Sequence, residues 1–479
     1  MNYESVIGIE THVELGAASK VFSSTRAAFG GEPNAYVNPV CLGLPGTLPV
    51  LNRTSLEMAL KVALALRCEI PDVTIFDRKH YYYPDLPKNY QISQEYQPLG
   101  RNGQLSMLLN DGREKIVRIH NIHLEEDAGK LMHAQRGGGS ISLVDLNRAG
   151  TSLLEIVSEP DMRGRDELQI FMETMRSFLR YLEVSDCKMQ EGKLRFELNV
   201  SIRPPGSETF GTKVEVKNVG SIKSVLRAYD YEIKRQAEVL GDGGHLVQET
   251  RLWDDERGET RSMRVKEGAK DYRYFPEPDI PPVVLDRAYL EEVQRHLPEL
   301  REEKRKRYLE DYALPEYDAG VLAADKAVAA FFDACCAQHP APKEFSNWIM
   351  TYVLRELRDE DSDINDLPIQ PAHLVELVQL IEQKTINPNI AKQVMKTMLA
   401  SGDMPSQVVK DQGLEVVSDA GELEQWVDEA VAENPEPAQA FQDGKDQVLN
   451  FLLGQVMRKS KGKADPNEVK AMITQKLRG

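Results

Sequence analysis

The periodicity of this chain changes once, near residue 286, and that change limits its fold more than any other feature. Before it, short runs alternate apolar and polar side chains between Gly/Pro turns, the pattern of half-buried antiparallel strands. A few helical stretches interrupt them. One opens at a capping box, Thr54 to Glu57, and runs to Leu66; others cover 166–183 and 221–240, the last closed by Gly241. After the change nearly every segment has helical period, with Asn387-Pro388 and Asp465-Pro466 reading as helix starts. The expected fold class is α+β. A mostly antiparallel sheet domain is expected over 1–292, a helical domain over 293–405 and a helical tail domain over 406–479. The glycine-rich patches 137–139 and 241–244 read as turns.

Strand alternation also fixes which side chains share a face. In 7–15, Ile7, Ile9, Val13 and Leu15 point to a core, so Glu10, His12 and Glu14 line the other face. Successive members of such a row are roughly 7 Å apart. The same count groups His123 with Glu125 and Asp127, Arg195 with Glu197 and Asn199, and Glu215 with Lys213 and Lys217. One such row is an ordinary wet sheet face. Four rows rich in Glu and His instead suit Mg2+ with phosphate, carboxylates holding the hard cation and basic groups meeting phosphate oxygens. The chain has no P-loop, dinucleotide fingerprint, H-E-x-x-H or G-x-S-x-G motif. A nucleotide would therefore lie on the sheet surface. Two aromatic-basic segments, 79–90 and 271–279, read as ordered loops. Their rings either pack beneath the loops or present a surface on which a terminal adenosine of RNA stacks.

Acidic residues outnumber basic ones 76 to 59, a net charge of −17, which argues against a simple nucleic-acid binder. The distribution softens that argument. Residues 402–446 hold 12 Asp/Glu and 2 Lys, whereas 455–479 hold 7 Lys/Arg and 2 Asp/Glu. The five cysteines are scattered and form no C-x-x-C pair, as expected of reduced thiols in a cytoplasmic setting. No segment approaches the roughly 20 apolar residues that span a bilayer, and the first residues lack signal-peptide character.

Several long runs resemble the aspartyl/glutamyl-tRNA amidotransferase family, in its B-type, tRNA-dependent component. They are IGIETHVEL at 7–15, GLPGTLPV at 43–50, YYPDLPKNYQIS at 82–93, HLEEDAGK at 123–130, LLEIVSEPD at 153–161, VEVKN at 214–218 and DYRYFPEPD at 271–279. The resemblance implies a cradle domain of glutamine synthetase-like fold, then a helical domain and a tail domain that touches tRNA. It implies an ATP- and Mg2+-dependent ligase that phosphorylates the side-chain carboxylate of Glu-tRNA(Gln) or Asp-tRNA(Asn) and then amidates it. Ammonia would come from an amidase-type A subunit, a glutaminase, with a small C subunit completing a heterotrimer. Glu10, His12 and Glu125 match the family's metal-site motifs, and Glu14, Glu126, Asp127, Glu155, Glu197 and Glu215 are further candidates. Lys79 and Lys88 are candidates for phosphate or ammonia contacts, and Lys217 and Arg273 for phosphate. Many relatives carry two cysteine pairs for zinc where this chain has Ser23, Thr25, Asn38 and Cys41. One cysteine does not make a four-ligand site, so no structural zinc is expected and packing alone should hold that loop. Glu197 stands where the family usually has aspartate.

Overall fold

The computed structural model describes residues 3–136, 139–265, 272–357, 363–416, 420–460 and 462–479. Gly137, Gly138 and Asp271, which figure in the sequence expectations, lie outside the described residues. The chain divides into two compact units, Met1–Leu300 and Arg301–Gly479.

The strands that matter for the site are β1 (Glu4–Glu14), β2 (Asp77–His80), β3 (Tyr90–Ser93), β4 (Gly100–Leu108), β5 (Glu114–Glu126), β6 (Ser152–Ser158) and β7 (Leu194–Arg203). They continue with β8 (Val214–Lys217), β9 (Glu249–Asp254), β10 (Glu259–Val265) and β11 (Phe275–Pro276). Eight of them form one sheet in the order β10-β9-β8-β7-β1-β6-β5-β4, and β11-β2-β3 form a second, smaller sheet. Within the large sheet only β8 and β9 run parallel. Helices α1 (Arg53–Ala65), α2 (Arg165–Tyr181) and α3 (Ile222–Gly241) belong to the same unit. Leu60, Phe171, Met175 and Val225 from these helices share one apolar cluster with Ile7, Ile9, Leu198 and Val200 from the sheet. Each such fully buried side chain contributes about 1.5–3 kcal/mol relative to exposure. That burial fixes the register of β1 and β7, because a one-residue slip would turn Ile7, Ile9, Leu198 and Val200 to the opposite face.

Two helix boundaries differ from the expectation. The cap of α1 is Asn52, whose side-chain oxygen accepts from the Thr54 and Ser55 amides at 2.9 and 3.3 Å. The Thr54 capping box therefore does not form, and Ser55 instead bonds the Ser152 hydroxyl at 2.6 Å in the core. Helix α3 includes Gly241, and the chain reverses at Gly243, which takes the left-handed φ of 78° that glycine adopts freely.

The 20–41 loop is likewise held by more than packing. Cys41 Sγ lies 3.4 Å from the Ser23 hydroxyl and 3.6 Å from that of Thr25, and the Cys41 amide donates to Asn38 at 2.9 Å. The fully buried Lys20 ammonium donates to the Tyr36 and Ala149 carbonyls, each at 2.6 Å, and approaches Cys41 Sγ at 3.6 Å. Ser23, Thr25, Asn38 and Cys41 thus form a hydrogen-bonded knot. All five cysteines are free thiols.

Helix Arg287–Arg295 straddles the expected junction at 292, and its Val293 belongs to the core of the first unit, with Tyr289 and Leu290 against it. Among its described residues the second unit contains two apolar clusters, one running from Tyr308 to Leu414 and one from Leu423 to Ile473. Among the described residues no strand follows Val284. Asn387 and Asp465 cap their helices as expected, each ahead of a proline at the first helical position. Among the described residues no helix is long and apolar enough to cross a membrane.

Candidate functional site

The face of the large sheet opposite the helices carries the charged rows, and strand pairing turns those rows into clusters. Glu10 pairs with Glu197, His12 pairs with Arg195 on one side and Glu155 on the other, and His123 also pairs with Glu155. Residues directly opposite across antiparallel strands have neighbouring side chains on one face.

The first cluster joins His12, Glu125 and Glu155, one ligand atom of each lying within 4.8 Å of the others. His12 Nε2 is 3.3 Å and His123 Nε2 3.1 Å from Glu155 Oε2, and Ser93 donates to Glu125 at 2.9 Å. Burial opposes charge on the two imidazoles. The adjacent carboxylates, Glu155 foremost, outweigh it and lift His12 to about 9 and His123 to about 10. Burial would raise the Glu155 carboxyl, but the two imidazolium rings hold it well below the usual range. Protons on His12 and a divalent cation therefore compete for the same pocket of negative charge. Lys79, on β2, stays charged despite burial because Glu125 lies near it, and its ammonium sits 5.3 Å from the Tyr272 ring centre.

Glu10, Glu197 and Glu215 form the second cluster, again with ligand atoms within 4.8 Å. Asn199 donates to Glu10 at 2.9 Å and Thr250 to Glu215 at 2.7 Å. Burial, with Glu155 and Glu197 nearby, pushes the Glu10 carboxyl above its ordinary value. Lys217 bridges Glu197 at 2.5 Å and Glu215 at 3.2 Å. Burial opposes its charge, but Glu197 and Glu215 more than restore it.

A third group holds Glu14, Asp127, Arg148 and Arg195. Arg195 donates to Asp127 at 2.8 Å and Arg148 Nε lies 3.4 Å from the same oxygen. Burial raises the Glu14 carboxyl to about 7, helped by the charge on Asp127.

The other expected residues stand apart from the two carboxylate clusters. Asp127 is engaged by arginines. Glu126, one residue from Glu125 and on the other side of its strand, takes an ion pair from Lys88 and accepts from the Ile92 amide at 2.9 Å. Lys88 and Glu126 thus hold β3 against β5. Arg273 lies over the Tyr82 ring. Sequence reasoning sets His123, Asn199 and Arg195 in rows without assigning them a part. It passes over Ser93 and Arg148, which reach the face from a short strand and a loop where no period gives a signal.

Four buried polar atoms on this face have no hydrogen-bond partner among the described residues: His12 Nδ1, Glu14 Oε1, Arg195 Nε and Asn199 Oδ1. Buried polar atoms are otherwise almost always paired, so these mark where a ligand, ion or water completes the site. Hard oxygen donors with a single imidazole fit Mg2+ better than zinc. The flanking ammonium and guanidinium groups fit anionic oxygens. The donor set is of the kind that suits divalent cations and charged oxygen ligands on a sheet surface.

Comparison with known proteins supplies the family. A family model described as the GatB/GatE catalytic domain matches residues 5–291, and one described as a GatB domain matches 330–477. Proteins named as the B subunit of aspartyl/glutamyl-tRNA(Asn/Gln) amidotransferase are similar throughout. The one from Moorella thermoacetica is 50% identical over 477 residues, covering 100% of both chains. That from Caldicellulosiruptor bescii is 49% identical, covering 100% of this chain and 99% of its own. That from Persephonella marina is 47% identical, covering 100% of both. The chain belongs to this GatB/GatE family of tRNA amidotransferase components, parts of a ligase-type enzyme.

Proposed function

We propose that this chain activates the side-chain carboxylate of Glu-tRNA(Gln), Asp-tRNA(Asn) or both by phosphorylation from ATP, and amidates it with ammonia. The single observation that carries the reading is the pair of three-residue carboxylate and imidazole clusters on one sheet face, bordered by Lys79 and Lys217. A free carboxylate resists ammonia because its leaving group would be oxide or hydroxide; an acyl phosphate releases phosphate instead. Bond for bond, the carboxylate oxygen takes the γ-phosphoryl group and ADP leaves. Ammonia then attacks the carbonyl carbon, the bond to phosphate breaks, and the proton that nitrogen loses ends on the departing phosphate.

Glu10, Glu197 and Glu215, with His12, Glu125 and Glu155, are the residues that would hold Mg2+, which supplies charge neutralisation at phosphate oxygens. Asn199 and Ser93 fix the orientation of Glu10 and Glu125 through their hydrogen bonds. His123 fixes Glu155 in the same way. Lys217 and Lys79, both charged and both desolvated, present positive charge to the oxygens in transfer. Lys88 acts at one remove, by tying Glu126 and so placing β3 with its Ser93. The basic end of the tail contacts tRNA, and a glutaminase and a small third component supply the ammonia and the assembly. The test is co-purification of those two proteins, followed by glutamine-dependent conversion of Glu-tRNA(Gln) to Gln-tRNA(Gln). Conversion requiring ATP supports the reading; conversion without ATP contradicts it.

A further inference from the structure

We infer that Tyr82 and Arg273 form a stacking platform for an adenine ring beside the carboxylate face, an inference that rests on the proposed function for its choice of ligand. Tyr82 is 64% exposed and the adjacent Tyr83 51% exposed, whereas Tyr81 and Tyr90 of the same segment are half-buried. Arg273, from a segment some 190 residues later in the chain, lies 5.6 Å from the Tyr82 ring centre and donates to its hydroxyl at 3.0 Å. A ring with a guanidinium against it offers a flat π surface and a positive charge together, the combination that holds a nucleobase and its phosphates.

The arrangement is braced. Arg273 adopts a left-handed φ of 49°, which a residue with a Cβ rarely takes without support. The support comes from His80, which hydrogen-bonds the Arg273 carbonyl through Nδ1 at 3.1 Å, donates its amide to the Tyr272 carbonyl at 2.9 Å and stacks on Phe275 at 5.0 Å. Strand β11 is held against β2 by the same segment.

The platform also connects to the reacting face. Tyr81, next to Tyr82, contacts the Tyr83 and Tyr272 rings at 6.0 and 6.4 Å and donates to Gln91 at 3.4 Å. Gln91 in turn donates to the carbonyl of Glu126, the residue after the candidate ligand Glu125. Adenine is the shared chemistry of two substrates in the proposed reaction, ATP and the 3′-terminal adenosine of tRNA.

Photo-crosslinking tests this with the full-length chain and the proteins that co-purify with it. One arm uses 8-azido-ATP and the other tRNA ending in 8-azidoadenosine; peptide mapping reads the label. The expected result is label on the peptide carrying Tyr82, kept in Tyr82→Phe and lost in Tyr82→Ala. Stacking on one aromatic ring predicts a KM for the labelling ligand raised about tenfold to a hundredfold in Tyr82→Ala. Label from 8-azido-ATP alone assigns the platform to the nucleotide; label from tRNA alone assigns it to the acceptor end. No label at Tyr82 from either probe overturns the platform, even where amidation proceeds normally. Label without any ATP-dependent amidation overturns the proposed function and leaves the platform standing.

Discussion

Glu14 shows how one side chain on this face reports its surroundings. Its carboxyl lies beside Asp127 with one oxygen unpartnered among the described residues, and burial carries it to about 7. A carboxyl raised above its unfolded value of 4.5 favours the folded state only in its protonated form. Its cost to stability therefore appears as pH rises from about 4.5 to 7 and is complete above that. Glu14→Gln, which mimics the protonated group, is expected to stabilise the protein by about 1–3 kcal/mol at pH 8 and hardly at all at pH 4.5. Urea unfolding at the two pH values checks this; equal effects at both contradict the assignment.

At the scale of elements, the ion pair of Lys88 with Glu126 distinguishes a bracing role from a chemical one. Lys88→Ala leaves a 4%-exposed carboxylate without its charge partner, and such a loss costs about 3–5 kcal/mol. The double variant Lys88→Met/Glu126→Gln should recover most of that stability, measured by the same unfolding. A Lys88→Ala variant as stable as the parent would return Lys88 to the chemistry of the site.

The same elements explain what sequence alone could reveal. Glu10, His12, Glu197 and Glu215 were legible because strand alternation assigns each a face without reference to its neighbours. Their grouping was not, because it depends on register: Glu155 meets both His12 and His123 only once β6 lies between β1 and β5. Glu126 shows the converse. It sits in the same motif as Glu125 but one residue on, so alternation turns it to the opposite face, where it accepts from the Ile92 amide. Asn52 outcompeted Thr54 as a cap because its amide also ties Ser19 and Lys20, a long-range gain that no local pattern displays.

Over the whole molecule, the second unit's two apolar clusters decide where the tail can be removed. Val408, Val409 and Leu414 belong to the cluster that begins at Tyr308, so a cut at 406 would open that core. A truncation after Val416 removes the later cluster, Leu423 to Ile473, together with the basic end. It is expected to raise the KM for tRNA about tenfold or more at roughly 150 mM salt, with kcat changed less than about threefold, as fits loss of phosphate contacts. A collapse of kcat with KM unchanged would place part of the reacting site in the tail.

The charge balance has the same large-scale meaning: −17 over the chain, with carboxylates of the sheet face gathered into clusters and 7 Lys/Arg against 2 Asp/Glu in residues 455–479. The central claim is that this face transfers phosphate to a carboxylate presented on tRNA. Its most direct measurement is ADP formation by the assembled enzyme, with misacylated, correctly acylated and uncharged tRNA compared. ADP should form only with Glu-tRNA(Gln) or Asp-tRNA(Asn), and Glu10→Gln/Glu125→Gln should lower that rate by about a hundredfold or more while tRNA still binds. ADP formation that persists in the double variant, or proceeds equally well with uncharged tRNA, would contradict it.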